Sequence, residues 1–350
     1  MRRVGPRRWS LLLLLTVAAC DHSEPFKLAG PEPLGPYSDA SLRQLTFNRG
    51  DDRDPSGRGD LVVFSRLEPE RSDQDRCLGF LPAQGGTLLR LVCAGGPWPD
   101  DRTDAWLNPI ISPDETRLAY VRQAGPVGGL GPSERALVVA PLGAPAEPEI
   151  AMAGGFPLPD GRFADAARRL TWRDDQTLRA LVGAELVVTL PGAVRDTVFT
   201  PFTLVDLDVA SGTFEPAPGV TAAAVYANAP DGGVWFVRED ERSLAESVLR
   251  HASPDGGPVT VLDTLPGEVV DLTNLEGQPV VVLRLISSAE LLTVESGVHI
   301  VDLEAGRVER VGSVVDVRRI WAMPGTRHLL LERRSQLGLP WSDLWLLELP

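Results

Sequence analysis

Ser112-Pro113-Asp114-Glu115-Thr116-Arg117-Leu118-Ala119-Tyr120-Val121 is a turn that runs directly into a strand. Proline presets one backbone angle of the turn, and the serine and aspartate side chains can bond the backbone a residue or two on. The apolar, aromatic and branched residues that follow suit a pleated surface. The same pattern returns at residues 57–66, 172–181 and 230–237, and in degenerate form at 275–283 and 324–331.

A partner strand follows each copy. These are Cys77-Leu78-Gly79-Phe80-Leu81, then residues 136–140, 202–207, 247–250, 298–303 and 343–347. After each of the first five comes a turn with Gly or Pro and a more polar strand, such as Arg307-Val308-Glu309-Arg310-Val311. The sixth lacks that outer strand. Upstream, Leu42-Arg43-Gln44-Leu45-Thr46-Phe47-Asn48 is an outer-type strand without a unit of its own. The two defects complement one another. They predict an all-β fold over residues 38–350, a six-bladed β-propeller closed by an N-terminal strand that completes the C-terminal blade. The units recur roughly every 45–60 residues, slightly longer than the ~40–45 of tight blades. A β-sandwich would explain the alternating strands, but not six units or complementary ends.

Leu45-Thr46-Phe47-Asn48-Arg49-Gly50-Asp51-Asp52-Arg53-Asp54-Pro55-Ser56 and Asn108-Pro109-Ile110-Ile111-Ser112-Pro113-Asp114 resemble the repeats of TolB-like, WD40-like propellers. Those repeats pair a strand ending in Leu-Thr with a loop leading to Pro-x-Trp-Ser-Pro-Asp-Gly. Here Ile111 stands where the family has Trp, and Glu115 where it has Gly. The resemblance implies the propeller fold; a partner does not follow from it.

The N-terminus carries an address. Four arginines and no acid lie in residues 1–9, followed by an apolar run through residue 19 that is too short for a spanning helix of about 20 residues. Val17-Ala18-Ala19-Cys20 resembles the lipobox of bacterial lipoproteins. That resemblance implies a signal peptide over residues 1–19, diacylglycerol on Cys20, and a protein held by lipid to a membrane of the bacterial envelope. Residues 20–37, rich in Pro and Gly, read as a tether.

Once Cys20 is set aside, Cys77 and Cys93 remain as a pair. Both lie eight residues from Gly85, so a hairpin turning there places them opposite one another, as a cross-strand disulfide requires. Two buried free thiols on facing strands are the alternative.

The formal charge of −14 disfavours nucleic-acid phosphate as a partner. No nucleophile elbow, phosphate loop, Cys-x-x-Cys or His-Glu-x-x-His is present. His22, His251, His299 and His328 are scattered, so no catalytic residue and no cofactor is expected. One acidic set stands out: Asp51, Asp52 and Asp54 from the first unit with Asp100, Asp101 and Asp104 from the second. Loops of one propeller face would gather them into a rim. Such a rim suits a basic protein partner better than Ca²⁺, because the spacing matches no EF-hand loop. The sequence thus favours a membrane-anchored module that binds or scaffolds an envelope protein. The alternative is a hydrolase or lactonase-like enzyme with a metal or substrate at the channel mouth.

Overall fold

The computed structural model describes residues 41–46, 50–67, 75–93, 102–126, 134–153, 156–157, 163–164, 166–183, 185–190, 194–199, 202–288, 293–334 and 341–350. The expected signal peptide, Cys20, the tether, Asp100 and Asp101 lie outside them.

The protein is an all-β propeller. Among the described residues, four antiparallel sheets have four strands each. Sheet I is Ala166–Trp172, Thr177–Gly183, Thr203–Asp208 and Thr213–Pro216. Sheet II is Ala223–Asn228, Val234–Arg238, Glu246–Ala252 and Thr260–Pro266. Sheet III is Glu268–Leu275, Gln278–Ser288, Thr293–Asp302 and Arg307–Arg310. The closing sheet is Val317–Ala322, His328–Arg334 and Ser342–Glu348, completed by Ser41–Gln44. In that last pairing Ser41 lies opposite Glu348 and Leu42 opposite Leu347, so the N-terminal strand closes the C-terminal sheet as its sequence type requires.

Eight further strands form one double sheet. Its first half is Asp52–Arg58, Leu61–Leu67, Arg76–Pro82 and Arg90–Val92; its second is Arg102–Ile111, Arg117–Pro126, Glu134–Pro141 and Ile150–Ala153. One parallel bridge, Arg76 to Ala105, joins the halves. Two further hairpins, Phe156–Pro157 with Phe163–Ala164 and Glu185–Leu190 with Val194–Phe199, were not legible in the repeat pattern.

Why the second strand of each unit is so apolar follows from the packing. Successive side chains of a strand point to opposite faces. In Gln278–Ser288, Val280 and Val282 pack toward the closing sheet, while Val281 and Leu283 pack toward sheet II. In His328–Arg334, Leu329 and Leu331 face sheet III and Leu330 faces the double sheet. A strand covered on both faces reads as an unbroken apolar run. Six clusters of this kind follow one another, and the last joins Leu45, Leu330 and Leu346 to Val62 and Phe64.

Cys77 and Cys93 form a disulfide with Cα atoms 4.4 Å apart. The hairpin behind it turns at Gly85, whose φ of 81° is a left-handed conformation that favours glycine. Gly79, between the cysteines, lies under the ring of its cross-strand partner Phe64; a Cβ there would sit 2.4 Å from the ring.

Candidate functional site

The first strand of each unit contributes to the central channel, and all six of these strands carry a register shift. The shifts fall between Arg53 and Ser56, Leu107 and Ile110, Ala167 and Arg169, Ala223 and Val225, Val269 and Asp271, and Val317 and Arg319. A bulge inserts an unpaired residue and re-aims its neighbours. In the first two units the extra residues are Asp54-Pro55 and Asn108-Pro109, with φ of 52° at Asp54 and 49° at Asn108. Asp and Asn tolerate that left-handed region better than most side chains.

Three charged residues, Arg169, Asp271 and Arg319, stand immediately after a bulge. Together with Asp54 and Asn108 they form a ring of charge around the channel. Arg169 is ion-paired to Asp271 through Nη1, and its Nη2 donates to the Leu272 carbonyl at 2.6 Å. Asp271 also accepts the Ile320 N–H at 2.8 Å. Arg319 lies 3.1 Å from Asp54 and donates to Asn108 Oδ1 at 2.8 Å. Asp54 accepts the Asn108 N–H at 3.2 Å, and its own N–H donates to Glu332 Oε2 at 3.1 Å.

Burial and neighbouring charge set the protonation of this ring. Burial pulls Arg169 down to about 10, which leaves it charged at neutral pH. For Arg319 burial also acts downward, but Asp54 and Glu332 outweigh it and raise the value. Burial raises Glu332, and the nearby Asp54 charge raises it further.

The described members of the expected acidic rim are not a solvated face. Asp51 is buried and held by Arg76 at 2.5 Å and Arg53 at 2.6 Å. Burial alone would raise its pKa; those arginines and the Ser342 N–H outweigh that and hold it below the usual range. Asp52 is buried and faces Arg66 at 4.0 Å. Asp104 is buried against Arg122 at 2.6 Å, and Asp54 belongs to the channel ring. The physical reason is compensation: a carboxylate leaves water only where a cation and hydrogen-bond donors meet it. Arg169, Asp271 and Arg319 were not singled out from sequence. Their only signal is charge inside largely apolar inner strands, as Arg168-Arg169, Asp271 and Arg318-Arg319.

Two spaces flank Arg169. The smaller, of about 30 Å³, is lined by ring residues including Asp54, Ser56, Asn108, Asp271 and Arg319. The larger, of about 280 Å³, opens where the first strands end and is lined by Arg58, Trp172, Asn228, Asn274 and Trp321 among others. Several of these lining side chains tie one inner strand to the next. Trp172 Nε1 donates to the Ile110 carbonyl at 3.2 Å, the Asn228 amide to Trp172 at 3.0 Å, and the Asn274 amide to Asn228 at 2.9 Å. Inner strands of neighbouring sheets share no ladder here, so side chains satisfy their backbone groups. Among the described residues, no group of three or more His, Cys, Asp or Glu could hold a metal ion.

Radial sheets around such a channel define the class, a β-propeller, and solved structures agree. A protein of unknown function from Dyadobacter fermentans DSM 18053 aligns over 88% of this chain and 99% of its own, at 10% identity and a TM-score of 0.55. An X-ray structure assigned as a gluconolactonase aligns over 89% and 92%, at 13% identity and a TM-score of 0.50. At such identities the likeness establishes the fold alone. No family model matches the chain, and no curated protein matches it in sequence.

Proposed function

We propose that this protein is a six-bladed propeller lipoprotein of the bacterial envelope, anchored through Cys20, that binds another envelope protein and performs no chemistry of its own. The count of six treats the double sheet as two blades, because a single parallel bridge joins its halves and one of the six core clusters lies between them. The repeat motif and this architecture support kinship with TolB-like propellers. The lipid anchor rests on Val17-Ala18-Ala19-Cys20.

One observation carries the choice of binding over catalysis. The charged groups of the channel ring are committed to one another: Arg169 to Asp271, and Arg319 to Asp54 and Asn108. A lactonase-like enzyme needs a free base, or carboxylates turned toward a metal or substrate. Here the carboxylates that could serve are spent on arginines.

The test joins fractionation to crosslinking. Cys20→Ser should move the protein from membranes to the soluble fraction. Photocrosslinkers at the exposed positions Leu89, Leu244 and Leu303 should yield a discrete adduct in the native envelope. Unchanged membrane association of C20S would overturn the anchor. Absence of any adduct, or hydrolysis of lactones by the purified protein with added divalent metal, would overturn the binding role.

A further inference from the structure

The larger channel chamber has a chemistry of its own, independent of the envelope partner. Nearly all of its polar lining is spent. Asn228 donates to Trp172 and accepts from Arg179 at 3.0 Å; Asn274 donates to Asn228 and accepts the Gly277 N–H at 2.8 Å. Trp321 Nε1 reaches the Gly57 carbonyl at 3.4 Å, and Glu276 lies 3.8 Å from Arg327.

Arg58 is the exception. Among the described residues its guanidinium makes one long hydrogen bond, 3.4 Å to the Pro113 carbonyl, and no ion pair. Burial lowers its pKa, while Glu115, Asp175 and Asp114 act in the opposite direction from beyond ion-pair distance. Asp114 is turned to its own loop, accepting from Ser112 Oγ at 2.5 Å and Thr116 Oγ1 at 2.8 Å. Glu115 is exposed beside Gly59. Asp114 and Glu115 therefore act on Arg58 weakly and through solvent, whereas half-buried Asp175 acts on it without forming an ion pair among the described residues. At the chamber floor, Arg169 Nε is buried and has no hydrogen-bond partner.

We propose that this chamber binds a small organic carboxylate, its charge paired with Arg58 and its apolar body against Trp172, Trp321 and Ile111. A guanidinium presents a planar fork that matches a carboxylate with two parallel hydrogen bonds. Desolvation strengthens such a pair, and a desolvated cation without a counter-ion gains most from one. The volume of about 280 Å³ falls just under the usual range of ligand pockets, which begins at about 300 Å³. A compact ring fits it; a polymer chain does not. The opening lies at the turn end of the first strands, with the charge ring behind it.

Benzoate, with benzamide as its uncharged twin, is the probe for the full-length protein. Saturation-transfer NMR and thermal melting should show saturable benzoate binding that raises Tm, with benzamide at least about tenfold weaker, the scale of a charge-assisted hydrogen-bonded pair. Arg58→Gln should remove the preference for the acid over the amide. Arg58→Lys keeps a cation without the fork and should bind benzoate several-fold more weakly than the parent, which preserves the test if R58Q does not fold. Equal binding of benzoate and benzamide, absence of saturable benzoate binding, or a preference that survives in R58Q or is undiminished in R58K would each overturn the proposal.

Discussion

Two boundaries between neighbouring sheets are built on different principles. Between the halves of the double sheet, the chain itself holds the parts in register. One parallel bridge, the Ser65 hydroxyl on the Trp106 carbonyl at 2.7 Å, and Asp75 on the Asp104 N–H at 2.8 Å complete the join. At the boundary between the closing sheet and Asp52–Arg58, the partners lie nearly 300 residues apart. There Asp51 accepts the Ser342 N–H at 2.7 Å, and Thr46 Oγ1 accepts the Leu344 N–H at 3.0 Å. Glu332 accepts from the Asp54 N–H across the same boundary. Where connectivity supplies register, one bridge and a few local bonds supplement the apolar packing. Where it does not, directional and charge-assisted bonds specify which strands meet.

The largest expected effect comes from removing the distant partner. Deleting residues 38–48 strips Ser41–Gln44 and Leu45 from the closing sheet and exposes the Ser342–Glu348 edge. Losing several kcal/mol of burial, comparable to a domain's whole stability, should leave a protein that aggregates on size-exclusion chromatography. A truncated chain that melts like the parent would remove the distinction between the boundaries.

Asp51→Ala comes next. It removes the carboxylate that pairs with Arg76 and accepts the Ser342 N–H, leaving Arg76 only the residue 51 carbonyl at 3.0 Å, so a loss of about 3–5 kcal/mol is expected by urea titration. Asp75→Ala at the sequential boundary should cost clearly less, and equal losses would contradict the comparison. Replacing both Cys77 and Cys93 by Ser should lower stability by about 3 kcal/mol in the chain-entropy account, read against the parent under non-reducing conditions.

The smallest effect is a pH dependence confined to the distant boundary. Burial raises Asp343 to about 6, with the Asp51 charge adding to it. A raised acid stabilises the fold at low pH. Its contribution is complete below about pH 4, declines as pH rises toward 6, and stays lost above that. Asp51, held low, acts in the opposite sense and loses its contribution only in stronger acid. Asp343→Asn should therefore flatten the Tm profile between pH 4 and 7 and gain about 1 kcal/mol at pH 8, allowing for solvent screening. An unchanged profile would show that Asp343 does not titrate in this range.

Much of the scaffold is readable from residues alone, because two-sided burial leaves runs such as Val280-Val281-Val282-Leu283 and Leu329-Leu330-Leu331 unmistakable. Ser41–Gln44 and the cysteine pair were legible for a similar reason: each has a complement elsewhere in the chain. The inner strands were not. Asp52-Arg53-Asp54-Pro55-Ser56-Gly57-Arg58 looks like a polar loop and is a strand, its proline taken up by the bulge. The aspartates misled for a related reason. A carboxylate reads as exposed until its cation is known, and the cation of Asp54 is Arg319, far down the sequence. Pairings of that range are set by closure of the ring, which no local pattern encodes.

Ser41–Gln44 precedes every other described strand, yet its hydrogen-bonded neighbour, Ser342–Glu348, is the last of them. A ribosome therefore releases the bolt some 300 residues before the hole it slides into. Until Ser342–Glu348 has been made, the growing chain holds stacked sheets with two raw edges, the state in which nascent β proteins are most exposed to wrong partners. Holding the chain unfolded until its far end arrives would spare it that interval, and an early stop anywhere before residue 342 would yield a protein that cannot lock.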